Sequence, residues 1–305
     1  ALCAMLILTV VRPLGVERVG WLLFVVSVVG VFLTPILGEN VKGATRWINI
    51  AGFSLQPSEF LKPALVIVIA SLMNVSDNAE RLKRFAWALG IIAVVAVLLL
   101  RQPNVGMLIL LGSVWGSMVF LAGVPMYLLL PMGGIGVGGI VMAYFSFSHV
   151  QSRIDRFMNP EGSDTYQADQ SHAAIMNGHL FGRGAGEGVV KHSLPDAHTD
   201  FIFAVVAEEF GILICLALIL LYLLIVLRAF YRMLDIDDRF TFLAIGGLAS
   251  LLAFQVMINV GVAMHIMPTT GMTLPFISYG GSATLGMAIS MGFLLALLRK
   301  RGLRL

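Results

Sequence analysis

In SLPDAHTDFIFAVVAEEFG, residues 193–211, a long polar loop turns into an apolar helix that carries acids at both ends. Asp200 stands at the boundary, and Glu208 and Glu209 follow about two helical turns later. A carboxylate inside or at the edge of a membrane segment costs roughly 2.5–3.5 kcal/mol on insertion scales, so three acids at one helix start need a reason. A helix running from Thr199 to about Leu227 is about 43 Å long at 1.5 Å per residue, more than the bilayer core of about 30 Å requires. Its first turns then stand at the outer interface, with Asp200 at the water boundary and Glu208 about 12 Å deeper.

Composition extends that reading to the whole chain. Hydrophobic residues fill 58% of the 305 positions and charged residues only 12%, against about 25% charged in an ordinary soluble domain. This excludes a soluble globular protein and predicts an all-α polytopic membrane bundle, since no alternating short-strand pattern suggests a barrel. Nine apolar segments are predicted near 1–11, 20–37, 60–73, 85–101, 105–123, 125–147, 201–227, 241–262 and 280–298. They form a single domain over 1–305, with a large extracytoplasmic loop, 148–200, between the sixth and seventh segments. Cys3 and Cys215 both lie in apolar runs, so neither a disulfide framework nor a cysteine metal site is expected. The first segment starts inside an apolar run without a basic flank, which suggests that one natural helix precedes it.

Basic residues set the orientation. Arg12 and Arg18, then Arg81, Lys83 and Arg84, then Arg228, Arg232 and Arg239, then Arg299, Lys300, Arg301 and Arg304 follow alternate segments and place those ends in the cytoplasm. The loops at 38–59, 101–104, 148–200 and 263–279 then face outward. Only the uncharged turn at Gly123, Val124 and Pro125 is placed by parity alone.

The outward loops concentrate the polar chemistry. GENVKGATRWINIAGFSLQPSEFLK, residues 38–62, reads as a re-entrant or interface-lying loop, with Pro57 in the first turn of the next helix. Taken singly, Trp47 suits an interfacial anchor, and Arg46 and Lys62 suit snorkelling cations. Glu59, one turn before Lys62 on the same face, points instead to a paired polar site. In the long loop a short helix is expected from about Asp169 to Met176. The following GHLFGRGAGEG lacks phosphate-loop spacing, but its backbone amides suit an anion, with Arg183 and Lys191 nearby. Asp200 alone could be read as an acid on a helix dipole, yet Asp196, His198 and Thr199 crowd the same loop end, and a cap needs only one of them. His198 and Asp200 lack a third ligand at metal spacing. Glu208 and Glu209 suit buried pairing. Gln255 and Asn259, four apart on an apolar helix, suit interhelical hydrogen bonds. MPTTGMTLPFISYGGS, residues 267–282, forms a broken outward segment that could wall a cavity opposite Asp200.

The blocks RWINIAGFSLQPSEFLK, LPDAHTDFIFAVVAEEFG, QVMIN and PTTGMTLPFISYGGS resemble those of the shape, elongation, division and sporulation (SEDS) family of FtsW and RodA type, in order, from about Ala1 to Arg301. They look more like the FtsW branch. The chain departs from the family pattern at Asn104, Thr270 and Ala283. The resemblance implies ten transmembrane helices in the full fold and a peptidoglycan glycosyltransferase that polymerises lipid II on the outer face of the cytoplasmic membrane during division. It implies an essential acid at Asp200 and substrate-binding roles near Arg46, Trp47, Glu59 and Lys62.

The chemistry suits the residues. A polyprenyl-diphosphate sugar donor needs a lipid-facing groove, cations for the diphosphate and a base for the attacking hydroxyl. Asp200 is the expected base, with Arg46, Lys62, Arg153 or Lys191 as charge partners and His198 beside it. No protein metal site is specified, although a divalent cation, Mg or Mn, would suit the diphosphate. A lipid II flippase or transporter is the alternative from a different class, and a RodA-type elongation polymerase the alternative within the family. Expected partners are a class B penicillin-binding protein and the divisome, in a bacterial inner membrane.

Overall fold

The structure is a computed structural model that describes residues 1–41, 44–50, 52–75, 78–124, 126–146, 148–158 and 166–299. The described chain runs α1 (Leu2–Thr9), α2 (Pro13–Leu37), β1 (Glu39–Val41), β2 (Ala44–Ile50), β3 (Phe53–Leu55), α3 (Pro57–Leu72), α4 (Asn78–Arg101), α5 (Val105–Leu121), α6 (Met126–Ser146), α7 (Ser148–Met158), α8 (Tyr166–Gly178), a 3₁₀ turn at Val190–His192, α9 (Ile202–Met233), α10 (Arg239–Ala263) and α11 (Gly281–Leu298). Each of the nine predicted apolar segments holds a helix. By length and apolarity, Pro13–Leu37, Lys83–Arg101, Ile202–Met233, Arg239–Ala263 and Gly281–Leu298 are each sufficient to cross a membrane, and α5 is a shorter apolar helix.

Burial separates the helices into two kinds. Along α3, residues 57–59 and 61–70 are buried, and most of α10 is buried as well. These two helices are the axis of the bundle, whereas α2, α4 and α9 show most of their apolar surface. Because α3 is enclosed by protein, its 16 residues need not match the thickness of lipid. Enclosure also explains how α3 carries Glu59 and Lys62, because buried ionised groups survive only against protein partners.

Three sequence expectations change in detail. The 38–59 loop is an antiparallel β1-β2-β3 meander, with Ile48 opposite Leu55 and Ile50 opposite Phe53. Main-chain groups that cannot reach water must pair, and strand pairing satisfies them locally. The loop from 148 to 200 holds both α7 and α8, and α8 is longer at each end than the expected Asp169–Met176.

The third change concerns α9. It begins at Ile202, not Thr199, and is broken at Gly211, where φ is 80° and ψ is 172°. The loop 179–184 repairs the break. Arg183 and Gly184 donate their amides to the carbonyls of Glu208 and Glu209, both at 3.0 Å, and Ile212 donates to the His179 carbonyl at 3.0 Å. A Cβ at Gly211 would stand 2.3 Å from the Leu180 carbonyl oxygen, so the graft requires glycine for space as well as for conformation.

Arg239 marks the opposite end of the bundle. Its Nε donates to the Met73 carbonyl at 3.1 Å and its Nη2 to the Ala122 carbonyl at 2.8 Å. Met73 and Ala122 are the C-caps of α3 and α5, so one guanidinium satisfies orphan carbonyls of two helices at their negative dipole ends. The uncharged turn after Ala122 therefore lies at the same end as Arg239, as parity predicted.

Candidate active site

Four segments distant in sequence meet at the end of the bundle away from Arg239: β2, the turn between α4 and α5, the turn at 196–201, and the irregular stretch 264–280. The 196–201 turn is wound around one acceptor. The amides of Thr199, Asp200 and Phe201 all donate to the Asp196 carbonyl, at 3.0, 3.1 and 3.4 Å, and Asp196 itself adopts φ 56°. Asp200 therefore precedes the helix and is not its N-cap; that position belongs to Phe201. Ser278 and Tyr279 tie this turn to the 264–280 stretch. Ser278 Oγ donates to the Thr199 carbonyl at 2.6 Å, and the Tyr279 amide donates to the His198 carbonyl at 2.8 Å.

Arg46 is delivered by β2 and held by the α4–α5 turn. Its Nε donates to the Gln102 carbonyl at 3.3 Å and its Nη2 to the Pro103 carbonyl. Its Nη1 lies 3.7 Å from the point where a Cβ on Gly271 would stand, and Asp200 Oδ2 lies 3.8 Å from the same point. The acid and the cation thus abut one glycine, whose φ of 77° belongs to the left-handed region. Trp47 follows Arg46 on β2, on the opposite face of the strand. His198 is exposed and opens onto a groove of about 860 Å³, lined also by Ile202, Ile277, Tyr279, Thr284 and Leu285.

Beneath this pair lies a buried polar relay. Lys62 Nζ is 2.7 Å from Glu59 Oε2 and donates to Gln255 Oε1 at 3.0 Å. Gln255 Nε2 passes the connection to the Thr273 carbonyl at 3.0 Å. One turn later, Asn259 Nδ2 donates to the carbonyls of Met272 at 2.6 Å and Asp200 at 3.0 Å. Gln255 and Asn259 were expected to bond another helix. Beyond Lys62 on α3, they bond the irregular segments, because broken backbone leaves unpaired carbonyls that an amide can satisfy.

A second polar cluster is separate. Glu208 is fully buried and accepts the amides of Val189, Val190 and Lys191 at 2.9, 2.8 and 3.0 Å. These amides lie just past GHLFGRGAGEG, the stretch expected to suit an anion; within it, Arg183 and Gly184 donate to the carbonyls of Glu208 and Glu209. Lys191 Nζ pairs with Glu209 and donates to the Gly186 carbonyl at 2.9 Å. Lys191 and both glutamates act here as a strap between the loop and α9. Arg153 lies in α7, and its side chain falls outside the described residues.

Sequence reasoning placed Gly271 in the broken segment opposite Asp200 without giving it a contact, and it missed Met272 and the carbonyls of Gln102 and Pro103. Main-chain acceptors leave no sequence signal. The carbonyl oxygen of Thr270 would lie 2.6 Å from a Cβ on Gly106, two residues after Asn104, and neither Asn104 Nδ2 nor Thr270 Oγ1 has a hydrogen-bond partner. Among the described residues, no three His, Cys, Asp or Glu side chains converge to hold a metal.

Comparison with known proteins places this arrangement. Residues 1–302 match the FtsW/RodA/SpoVE family of cell cycle proteins, and the chain belongs to that family. It is a multi-pass inner-membrane protein. A Caulobacter vibrioides protein named probable peptidoglycan glycosyltransferase FtsW is 41% identical over 297 residues, covering 97% of this chain and 76% of the relative. The similarly named Escherichia coli O6:H1 protein is 36% identical over 278 residues, covering 88% and 67%. Among solved structures, a chain from a study of polymerization and crosslinking by a peptidoglycan synthase complex aligns with a TM-score of 0.82 at 26% identity, covering 99% of this chain and 87% of that one. Rod shape determining protein RodA of Thermus thermophilus aligns with a TM-score of 0.73 at 27% identity, covering 99% and 84%.

Proposed function

We propose that this protein is a peptidoglycan glycosyltransferase of the FtsW type, which polymerises lipid II for the septal wall on the outer face of the inner membrane. The observation that carries the reading is the apposition of Asp200 and Arg46 on Gly271, with the acid in a turn whose His198 opens onto a groove. Asp200 is the general base. It accepts the proton of the acceptor sugar's 4-hydroxyl as that oxygen forms a bond to the anomeric carbon of the donor. The bond from that carbon to the diphosphate breaks, the configuration inverts, and undecaprenyl diphosphate leaves.

Arg46 stabilises the charge that develops on the departing diphosphate, in a site where fixed donors need little reorganisation. Lys62 and Lys191 are each neutralised by a glutamate, so they shape the field and the loops and do not grip the diphosphate first. Pairing with a class B penicillin-binding protein transpeptidase within the divisome follows from the same reading.

The test is polymerisation of purified lipid II by the protein with its cognate transpeptidase, in detergent, where transport has no meaning. General-base help is worth about 10²–10⁴ in rate, so Asp200→Asn should lose that factor at equal protein level. Full activity of Asp200→Asn would remove the base assignment. Absence of glycan from the wild-type pair would favour a flippase.

A further inference from the structure

We propose that Asn259 is a positioning residue for Asp200, an inference that rests on the proposed role of Asp200 as base. Asp200 precedes the ordered ladder of α9, and the amide of Ala204 bonds to the Phe201 carbonyl. The Asp200 carbonyl instead accepts Asn259 Nδ2 at 3.0 Å. The other hydrogen on that nitrogen goes to the Met272 carbonyl at 2.6 Å, next to Gly271.

One planar amide thus links the Asp200 carbonyl to the carbonyl of Met272, the residue after the glycine that both Asp200 and Arg46 approach. The amide is enclosed by protein, with its Oδ1 left without a hydrogen-bond partner. Asn259 is 1% exposed, sits near the C-terminal end of α10, and lies one turn from Gln255, which holds Thr273 from the same face and is braced by Lys62. Holding the Asp200 carbonyl fixes its peptide plane and so the direction in which its side chain leaves the backbone. A reacting group displaced by about 1 Å loses on the order of 10²-fold in rate, which makes such a clamp kinetically visible without any contact to substrate.

The test uses full-length protein with its transpeptidase and lipid II. Asn259→Leu keeps the branching at Cγ, adds bulk and removes both donors. It should lower kcat about 10–100-fold with KM within about twofold. Asn259→Ser, which retains one donor, should fall between. In an Arg46→Lys background, where the geometry against the base is already altered, Asn259→Leu should cost less than about threefold, because effects within one unit are not additive.

An equal fold-loss in both backgrounds, or a loss that tracks the fall in Tm across the Leu and Ser variants, would reduce Asn259 to bundle packing and overturn the proposal. So would wild-type kcat in Asn259→Leu. If Asn259→Leu does not fold, the Ser variant and its non-additivity with Arg46→Lys decide the matter. A wild-type pair that makes no glycan overturns the underlying reading instead, a different result from an active Asn259→Leu.

Discussion

Lys62 Nζ lies 2.7 Å from Glu59 Oε2 in an ion pair whose side chains keep only 2% and 6% of their exposure, at an angle that falls short of a hydrogen bond. Removing one member of a buried pair strands the other, at a cost of about 3–5 kcal/mol, whereas replacing both with apolar groups of similar volume is often neutral. Glu59→Gln and Lys62→Met should each lower the Tm in detergent sharply, and the double substitution should recover much of it. A double variant as unstable as the sum of the singles would show that the pair is not a unit.

Glu208 tests the strap. Glu208→Ala removes the acceptor of three part-buried amides, each bond contributing about 1.5–3 kcal/mol to a charged acceptor when fully formed and less where water reaches the amide. Limited proteolysis should then cut near 186–192, where the wild type resists, and Glu208→Gln should protect partially by keeping one acceptor.

At Gly211, the positive φ and the 2.3 Å approach to Leu180 act together. Gly211→Ala should reduce the monodisperse fraction in size-exclusion chromatography and lower the Tm by more than Gly90→Ala, where a Cβ meets nothing within 4 Å.

Arg239 ties three helices at the end remote from Asp200. Arg239→Met forfeits two charge-assisted hydrogen bonds, about 1.5–3 kcal/mol each. Thermal unfolding should report that loss while the KM for lipid II stays within about twofold. Arg239→Lys, lacking the planar fork, should retain roughly half of the stability.

The bundle was legible because segments such as 241–262 are apolar over lengths that only membrane helices use. Asp200 was legible because an acid at an apolar boundary is costly. The β1–β3 meander was not, since residues 39–55 mix Gly, Asn and charged positions with too few alternating apolar ones to show a period of two. The start of α9 was misplaced by three residues because Thr199 and Asp200 have the chemistry of a helix start, while the turn around the Asp196 carbonyl leaves no sequence period. Lys191 read as a ligand-binding cation because its partner, Glu209, stands 18 positions away and pairs only through the fold. Gly211 closed the very motif that drew attention, and a glycine inside a helical run is a legible warning of a break.

The stretch 264–280 supplies the glycine that Asp200 and Arg46 both abut, the Met272 carbonyl linked through Asn259 and the serine that pins Thr199. All of it leaves the ribosome after Asp200. A nascent chain can thus have its acid, its cation and most of its helices inserted while the catalytic geometry does not yet exist. On the proposed role of Asp200, competence arrives only with the last tenth or so of the described chain, and an incomplete translation product is expected to be inert.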